Sequence, residues 1–224
     1  MPVYFLCCLI HNLHVYTLIT KANHNPIIFN FFKWYTNWKI KKYFHQVKII
    51  GEFQEKNKSI LLVSNHNSWW DGFWTLYLNM KIFKHQFFFM MLEKQLKKFW
   101  YFNYCGGFSV NKNSSTLIES LQYSAELLSN SQNLVLLFPQ GKIESMHQQE
   151  IKFEKGLEWI LKKTGSSVQI IFLANLIDYF SMPKPTLSIY FQEYSVVDFQ
   201  TATLERDYNI FFNKCLQNQK QLTE

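Results

Sequence analysis

The chain has 224 residues, of which 48% are hydrophobic and 18% aromatic, and this excludes an intrinsically disordered protein and favours a single well-packed domain. Its formal net charge of +7 favours an anionic partner, either nucleic acid or an anionic membrane surface. Only Arg206 among the 23 basic residues is arginine, the side chain preferred for bidentate phosphate recognition, so we expect no nucleic-acid partner.

The first 20 residues are apolar but interrupted by polar side chains, and no uninterrupted run reaches the ~18 residues of a membrane-spanning helix. We expect a peripheral helix or an irregular start here, and not a cleaved signal peptide. Asn25 and Pro26 then predict an N-cap followed by proline at the first helical position, and the helix that begins there continues to about residue 45.

Aromatic and basic side chains occur together along this predicted helix. The apolar and aromatic members recur at helical spacing, and lysines accompany them: Ile28, Phe31, Phe32, Tyr35 and Trp38, with Lys33, Lys39, Lys41 and Lys42. The pattern is typical of a helix that lies in a membrane interface, although a core-packed helix with lysines at its rim is the alternative. We favour an anionic membrane surface as the partner, with a membrane-associated segment at residues 1–45 and a second unit at 46–224.

From residue 47 onward, predicted strands and helices alternate along the chain. The strands are predicted at 47–50, 60–63, 87–91, 108–110, 134–138, 168–174 and 186–191. The first helix of this part is predicted to begin at an N-cap on Asn67 or Ser68. A capping box of Thr116 and Glu119 predicts another helix that ends at about residue 128. The remaining helices are predicted at 93–102, 153–163 and 203–217. This alternation predicts an α/β fold with a mixed, largely parallel central sheet flanked by helices.

The stretch 61–74 holds the most informative pair of polar residues. Its apolar residues predict a buried strand that ends in a Ser-Asn turn. His66 follows the strand, and Asp71 falls in the first turn of the next helix. This spacing alone is a weak signal, but an imidazole oriented by a carboxylate is a general base that can take a proton from an attacking hydroxyl.

Two further polar motifs also follow predicted strands. Lys112 comes after the strand that ends at residue 110, and the segment 140–142 comes after the strand that ends at residue 138. Because binding loops gather at the carboxyl ends of the strands in such a fold, we expect both motifs at the same edge as His66. The sequence therefore predicts one site at that edge. The four cysteines have no metal-ligand spacing and suit a reducing compartment, and we expect no metal and no cofactor.

The motifs stand in a characteristic order along the chain. They are Asn65, His66 and Asp71, then Gly106, Gly107 and Lys112, then Phe138, Pro139, Gln140 and Gly141, and finally Phe153, Glu154, Lys155 and Gly156, before an apolar strand at 168–172. In that order the set resembles the glycerolipid acyltransferases of the lysophosphatidic acid type, whose first block is NHxxxxD. The resemblance covers about residues 47–191.

The resemblance implies a function for each matched position. It implies that His66 is the base, that Asp71 holds its tautomer, and that the acyl donor is a thioester of coenzyme A or acyl carrier protein, used as a co-substrate. It implies a lyso-lipid acceptor and a peripheral position on the cytoplasmic face of the cell membrane. The implied substrate-binding residues are Asn65, Gly107, Lys112, Pro139, Gln140, Gly141 and Lys155. We add Lys142, which follows Gly141 and supplies a second cation beside Lys112.

Four positions depart from the family pattern. Lys112 stands where the family has arginine, and Gln140 where it has glutamate. Glu154 replaces a residue that is commonly basic, and Gln169 stands where the last block has proline. A lysine keeps the positive charge but loses the planar fork of arginine. The departures leave a second acceptor class open, a hydrophobic alcohol without phosphate such as a lyso-aminolipid or a carotenoid glycoside. A membrane-binding protein without catalysis is a third possibility, which the intact His66 and Asp71 disfavour.

Overall fold

The computed structural model describes residues 19–112, 115–195 and 198–222. The strands in these ranges are Gln46–Ile50 (β1), Ser59–Ser64 (β2), Gln86–Leu92 (β3), Gly107–Val110 (β4), Asn133–Leu137 (β5), Val168–Asp178 (β6) and Thr186–Tyr194 (β7). The α-helices are Pro26–Tyr43 (α1), Asp71–Leu78 (α2), Glu93–Lys98 (α3), Leu117–Leu127 (α4), Gly156–Thr164 (α5) and Thr201–Lys220 (α6). A π-helical turn, Asn79–Phe83, extends α2, and short 3-10 helices cover Trp100–Cys105 and Gly165–Ser167.

All seven strands form one sheet in the order β1-β7-β6-β2-β5-β3-β4. The strands β6, β2, β5, β3 and β4 run parallel to one another, whereas β7 is antiparallel to β6 and parallel to β1. The predicted mixed, largely parallel sheet is therefore confirmed. Since β2, β4 and β5 are parallel, their carboxyl ends lie at one edge, as we expected from the sequence.

The two faces of the sheet bury different helices. Every residue of β2 is buried, as is usual for a parallel strand covered on both faces. Successive side chains alternate, so that Leu61 and Val63 belong to the core cluster of α4, α5 and α6, and Ile60 and Leu62 to the cluster of α1 and α2. Helices thus pack on both faces of β2, and this packing fixes the position of Asn65 and His66, which directly follow the strand.

Helix α1 begins where the sequence predicts. The side chain of Asn25 accepts hydrogen bonds from the N–H groups of Ile27 and Ile28 at 3.0 and 3.1 Å. Before the helix, the Asn25 N–H donates to the carbonyl of Tyr104, and Ile40 in the helix is buried in the core. Helix α1 is thus continuous in packing with the rest of the fold. The apolar residues 1–18 lie outside the described ranges.

The outer face of α1 is apolar as well. Ile27 is 81% exposed, Trp34 60% and Phe31 53%, and Trp38 lies beside them. One side of the helix therefore packs on the core, as the alternative interpretation expects, and the other presents aromatic rings to solvent, so the membrane interface stays a prediction. None of the helices in the described ranges combines the length and apolarity that a bilayer span requires.

Several helix boundaries differ from those expected. Helix α2 begins at Asp71 and not after a cap at Asn67 or Ser68, because the N–H groups of those residues donate to the Asp71 carboxylate. Thr116 makes no side-chain cap bond, so the predicted capping box is wrong.

The helix predicted over 93–102 is divided in two. Its α-helical part ends at Lys98, and the following 3-10 helix ends at Cys105. The next residue, Gly106, has a φ of +99°, which favours glycine. A side chain at Gly106 would meet the carbonyl oxygen of Phe87 at 2.0 Å. Helix α5 begins at Gly156, three residues later than expected, because residues 151–154 run as an extended segment across α6.

Candidate active site

The carboxyl end of β2 delivers His66 to Asp71. The Nδ1 atom of His66 lies 2.9 Å from Oδ2 of Asp71, and the same oxygen accepts from the N–H groups of Asn67 at 2.7 Å and Ser68 at 2.9 Å. The Asp71 side chain is fully buried, whereas the His66 side chain is 20% exposed. The turn between strand and helix therefore wraps around the carboxylate and presents the imidazole at the surface.

The electrostatics of Asp71 combine opposing effects. Burial raises the pKa of its carboxyl above the ordinary value, and the hydrogen bonds from His66, Ser68 and Asn67 oppose that shift. Three donors on Oδ2 match an ionised carboxylate, which only accepts. With Nδ1–H donating to it, the Nε2 atom of His66 is left as the free acceptor, which is the arrangement of an oriented general base.

The loop after β5 holds His66 by its ring and by its backbone. The ring of Phe138 stacks on the imidazole with centroids 3.9 Å apart and planes at 12°. The backbone N–H of His66 donates to Oε1 of Gln140 at 2.6 Å, and the carbonyl of His66 accepts from the N–H of Glu144 at 2.9 Å. The imidazole is therefore confined on one face by Phe138 and on one edge by Asp71.

Gln140 has a specific reason to be an amide. Its Oε1 accepts from His66, and its Nε2 donates to Oε2 of Glu144 at 2.6 Å. Glu144 also pairs with Lys142 at 3.0 Å. The hydrogen bond from Gln140 is the main cause that lowers the pKa of the Glu144 carboxyl, and the contact with Lys142 lowers it further. The loop therefore has its carboxylate at Glu144, and the neutral amide of Gln140 connects that carboxylate to the backbone N–H of His66.

Lys112 reaches the same loop from the end of β4. Its Nζ pairs with Oε1 of Glu154 at 3.0 Å, and the N–H of Glu154 donates to the carbonyl of Pro139 at 2.8 Å. Gly141 has a φ of +63°, and a Cβ built there would lie 2.1 Å from Nζ of Lys112. The glycine therefore provides the space through which Lys112 passes over the loop.

The other residues expected at the site occupy different environments. Pro139 and Gln140 are buried, Lys142 is exposed and paired with Glu144, and Lys155 is exposed next to Glu154 at the start of α5. The structure thus brings Lys112 and the segment 139–142 together with His66 and Asp71. Whether they bind substrate stays a prediction.

Asn65 and Gly107 have structural explanations instead. Asn65 is fully buried, and its side chain bonds the backbone carbonyl and N–H of Asn175 at 3.1 and 2.9 Å, which ties the end of β2 to β6. Gly107 lies at the amino end of β4, away from the edge that carries His66, and a Cβ there would meet the carbonyl of Phe102 at 2.8 Å. These contacts explain both residues by the fold alone, and their binding of substrate stays a prediction that the contacts do not support.

Sequence reasoning missed two residues that shape the site. Phe138 was matched only as part of a motif, and its stacking on His66 depends on the pairing of β2 with β5. Glu144 carries no sequence signal, since its importance comes from a turn that returns it to the carbonyl of His66. In the described ranges, no group of three or more His, Cys, Asp or Glu side chains could hold a metal ion.

Comparison with protein families agrees with this geometry. The sequence model of the family described as Acyltransferase matches residues 46–173, which is more than half of the chain and includes β1 to β5 and most of the site. The chain therefore belongs to the acyltransferase family, and its general activity is acyl transfer. Comparison with individual curated proteins gives no match.

The bridge through Gln140 leads to a prediction about stability. Gln140→Glu keeps an acceptor for His66 but places a second carboxylate against Glu144, so we expect it to lower the free energy of unfolding at pH 7 by about 2 kcal/mol. In the wild type, the depressed pKa of Glu144 stabilises the fold above the unfolded pKa of about 4.5, and this contribution is lost as the pH falls through the folded pKa. In Gln140→Glu, repulsion between the carboxyls at 140 and 144 raises the pKa of one of them. The difference in free energy of unfolding between the wild type and the variant should therefore shrink toward pH 4.

Urea denaturation at pH 7 and pH 4.5 measures both effects. The matched control is the double variant Gln140→Glu with Glu144→Gln, which exchanges donor and acceptor and should recover most of the loss at pH 7. Equal stability of the wild type and Gln140→Glu at pH 7 would show that the bridge does not stabilise the loop.

Proposed function

We propose that the protein transfers a fatty acyl group from a thioester of coenzyme A or acyl carrier protein to a hydroxyl of lysophosphatidic acid or a lysophospholipid. The observation that carries the proposal is the contact of His66 with the buried Asp71, at the sheet edge where Lys112 and the 139–142 loop also lie. The family match supports acyl transfer in general, and the substrates are part of the proposal.

The contact between His66 and Asp71 supports the following proton path for the proposed reaction. Nε2 of His66 takes the proton of the acceptor hydroxyl while its oxygen forms a bond to the thioester carbonyl carbon. The tetrahedral intermediate then collapses, the carbon–sulfur bond breaks, and the departing sulfur takes the proton from the imidazolium. Asp71 keeps Nδ1–H in place and stabilises the positive charge that forms on the ring. No acyl-enzyme is required.

Removal of the base tests the mechanism directly. We expect His66→Ala to reduce turnover by about 10³-fold or more, and Asp71→Asn to reduce it by about 10²- to 10⁴-fold, because the imidazole loses its fixed tautomer. The measurement is transfer from a labelled acyl thioester to membrane lipids, followed by mass spectrometry. His45→Ala, which changes an exposed histidine outside the site, is the control and should retain full activity.

Circular dichroism and thermal denaturation should show that His66→Ala remains folded, since its side chain is partly exposed. Turnover of purified His66→Ala within tenfold of the wild type would contradict the general-base mechanism.

The lysines around the site support an anionic acceptor. Lys142 lies in the loop that contacts His66, Lys112 passes over that loop at Gly141, and Lys155 follows Glu154, the partner of Lys112. A phosphate held there would bring an acceptor hydroxyl toward the imidazole. Lys112 is 38% and Glu154 64% exposed. Because an exposed ion pair contributes only about 0–1 kcal/mol, a doubly charged phosphate can replace the carboxylate of Glu154 on Lys112.

The same ion pair is the specific observation that favours the second acceptor class. Glu154 neutralises Lys112, and Glu144 neutralises Lys142. A hydrophobic alcohol without phosphate would leave both pairs intact and would need no charge rearrangement. The state of the pair between Lys112 and Glu154 therefore discriminates between the two acceptors.

Substitution of the two partners separates these possibilities. With an anionic acceptor, Lys112→Ala should raise the apparent KM about tenfold with little change in kcat, Lys112→Arg should retain binding, and Glu154→Gln should lower KM. Competition between lysophosphatidic acid and a neutral lyso-lipid provides the measurement, with Lys214→Ala on α6 as the control. Equal use of both acceptors by the wild type, Lys112→Ala and Glu154→Gln would reject the phosphate-binding role and favour the neutral alcohol.

The outer face of α1 supports a peripheral position on the cytoplasmic face of the cell membrane. Trp34 and Trp38 stack with centroids 6.3 Å apart, and Phe31 lies against Trp34 at 5.8 Å. Lys42 lies over the ring of Trp38 at 4.8 Å, and Lys41 is exposed beside it. Exposed aromatic rings with lysines at one end are the composition that binds headgroups of anionic lipids.

Vesicle binding tests this surface. We expect Trp34→Ser with Phe31→Ser to abolish sedimentation with anionic vesicles, and Lys41→Glu with Lys42→Glu to weaken it most at low salt, where charges are least screened. Ile210→Ser removes an equally exposed apolar side chain on α6 and is the control. Unchanged sedimentation of both double variants would assign the outer face of α1 another role.

A further inference from the structure

A cleft of about 600 Å³ lies on the other side of the catalytic turn from Lys112. It is lined by Asn67 and Ser68 of that turn, by Asn175 near the end of β6, and by the last turns of α6. Because β6 and β4 lie on opposite sides of β2 in the sheet, this cleft and Lys112 lie on opposite sides of the turn that carries His66. We call it the asparagine cleft.

Two asparagines in this cleft have buried side-chain atoms without a hydrogen-bond partner. Asn175 is only 3% exposed, and both its Oδ1 and its Nδ2 are buried without a partner. The Oδ1 of Asn67 is also buried and unpaired. The described ranges contain nine buried side-chain nitrogen or oxygen atoms without a hydrogen-bond partner, and three of them belong to residues of this cleft. Buried amides are normally bonded, so an asparagine with both ends unpaired indicates a position kept for a ligand or for ordered water.

The fold does not need Asn175 to be polar. Its side chain lies on the same face of β6 as Leu173 and Ile177, which belong to or pack on the apolar cluster. An apolar residue of similar size would remove the cost of the unpaired amide, which is about 1–3 kcal/mol. The connection between β2 and β6 uses the side chain of Asn65 and only the backbone of Asn175.

The chemistry of the lining indicates an uncharged ligand. Most of its polar side chains are amides, and its ionisable members in the described ranges are His147, Asp178 and Lys220. Asp178 already accepts a hydrogen bond from Nε2 of Gln219 at 2.6 Å. Apolar side chains of Trp74 and other residues form the remaining wall. An asparagine both donates and accepts, which matches a ligand amide or hydroxyl next to apolar carbon.

We propose that the asparagine cleft binds the uncharged, amide- or hydroxyl-bearing part of a substrate of His66, with Asn175 and Asn67 as its recognition residues. The inference rests on the proposed acyl transfer, since it adds a second substrate side to the same base. Two sources carry this chemistry: the pantetheine arm of the thioester donor, which has two amides and a hydroxyl, and a neutral polyhydroxyl headgroup of the acceptor.

Direct binding distinguishes the sources without requiring catalysis. Saturation-transfer NMR with the full chain uses pantetheine as one probe and octyl glucoside, below its critical micelle concentration, as the other. We expect one probe to bind the wild type and His66→Ala equally, and to bind Asn175→Leu about tenfold more weakly, because two hydrogen bonds are lost. Asn218→Leu changes an exposed asparagine of α6 outside the cleft and is the matched control, which should bind as the wild type does.

Thermal denaturation accompanies the binding measurement. Asn175→Leu should melt at the temperature of the wild type or above it, because the unpaired amide is removed. If Asn175→Leu does not fold, Asn67→Ala replaces it, since only the backbone N–H of Asn67 holds Asp71. Loss of binding with retained stability supports recognition by the cleft.

The outcomes separate the cleft from the proposed function. Binding that depends on Asn175 in a protein without acyl transfer activity would retain the cleft and reject the function. Acyl transfer with unchanged KM values for donor and acceptor in Asn175→Leu, or no binding of either probe to the wild type, would overturn the cleft and leave the function standing.

Discussion

The hydrogen bonds that converge on Oδ2 of Asp71 determine the geometry on which the rest of the site depends. A carboxylate without solvent exposure is costly to bury, and the N–H groups of Asn67 and Ser68, together with the imidazole of His66, compensate that cost. These bonds require the turn after β2 to fold back over the first residue of α2. The same turn fixes the direction of the imidazole and places Asn67 and Ser68 in the wall of the asparagine cleft.

Charge compensation explains why residues 140 and 154, near His66, differ from the motifs of the family that the sequence resembles. A glutamate at 140 would face Glu144, so the amide of Gln140 allows a carboxylate at 144 to remain near the backbone of His66. In a similar way, Glu154 balances Lys112 where that lysine passes over Gly141. The negative charges of this loop thus lie on Glu144 and Glu154, each paired with a lysine. In the proposed function, an anionic acceptor would take the place of Glu154 on Lys112.

The sequence predicts the parts of this structure that depend on local patterns. Alternating strands and helices, the cap at Asn25, and the common edge for His66, Lys112 and the segment 140–142 follow from periodicity and turn residues. The burial of Asn65 and the contact of Phe138 with His66 depend on which strands are neighbours, and a single sequence does not contain that information. The start of α2 was misplaced because the carboxylate of Asp71 captures the N–H groups of the residues expected to cap the helix.

The two faces of α1 connect the proposed membrane surface to the catalytic turn. On its inner face, Phe32 and Tyr35 pack on Phe73, which lies two residues after Asp71 in α2. Lys39 lies over the ring of Trp70, the residue before Asp71, at 5.2 Å. A force applied to α1 by lipid headgroups would therefore act directly on the segment that holds the dyad. In the proposed function, this packing keeps the base at a fixed depth relative to the bilayer from which a lyso-lipid presents its hydroxyl. The aromatic rings of α1 thus connect the proposed membrane surface to Trp70 and Phe73, which lie on either side of Asp71 in the sequence.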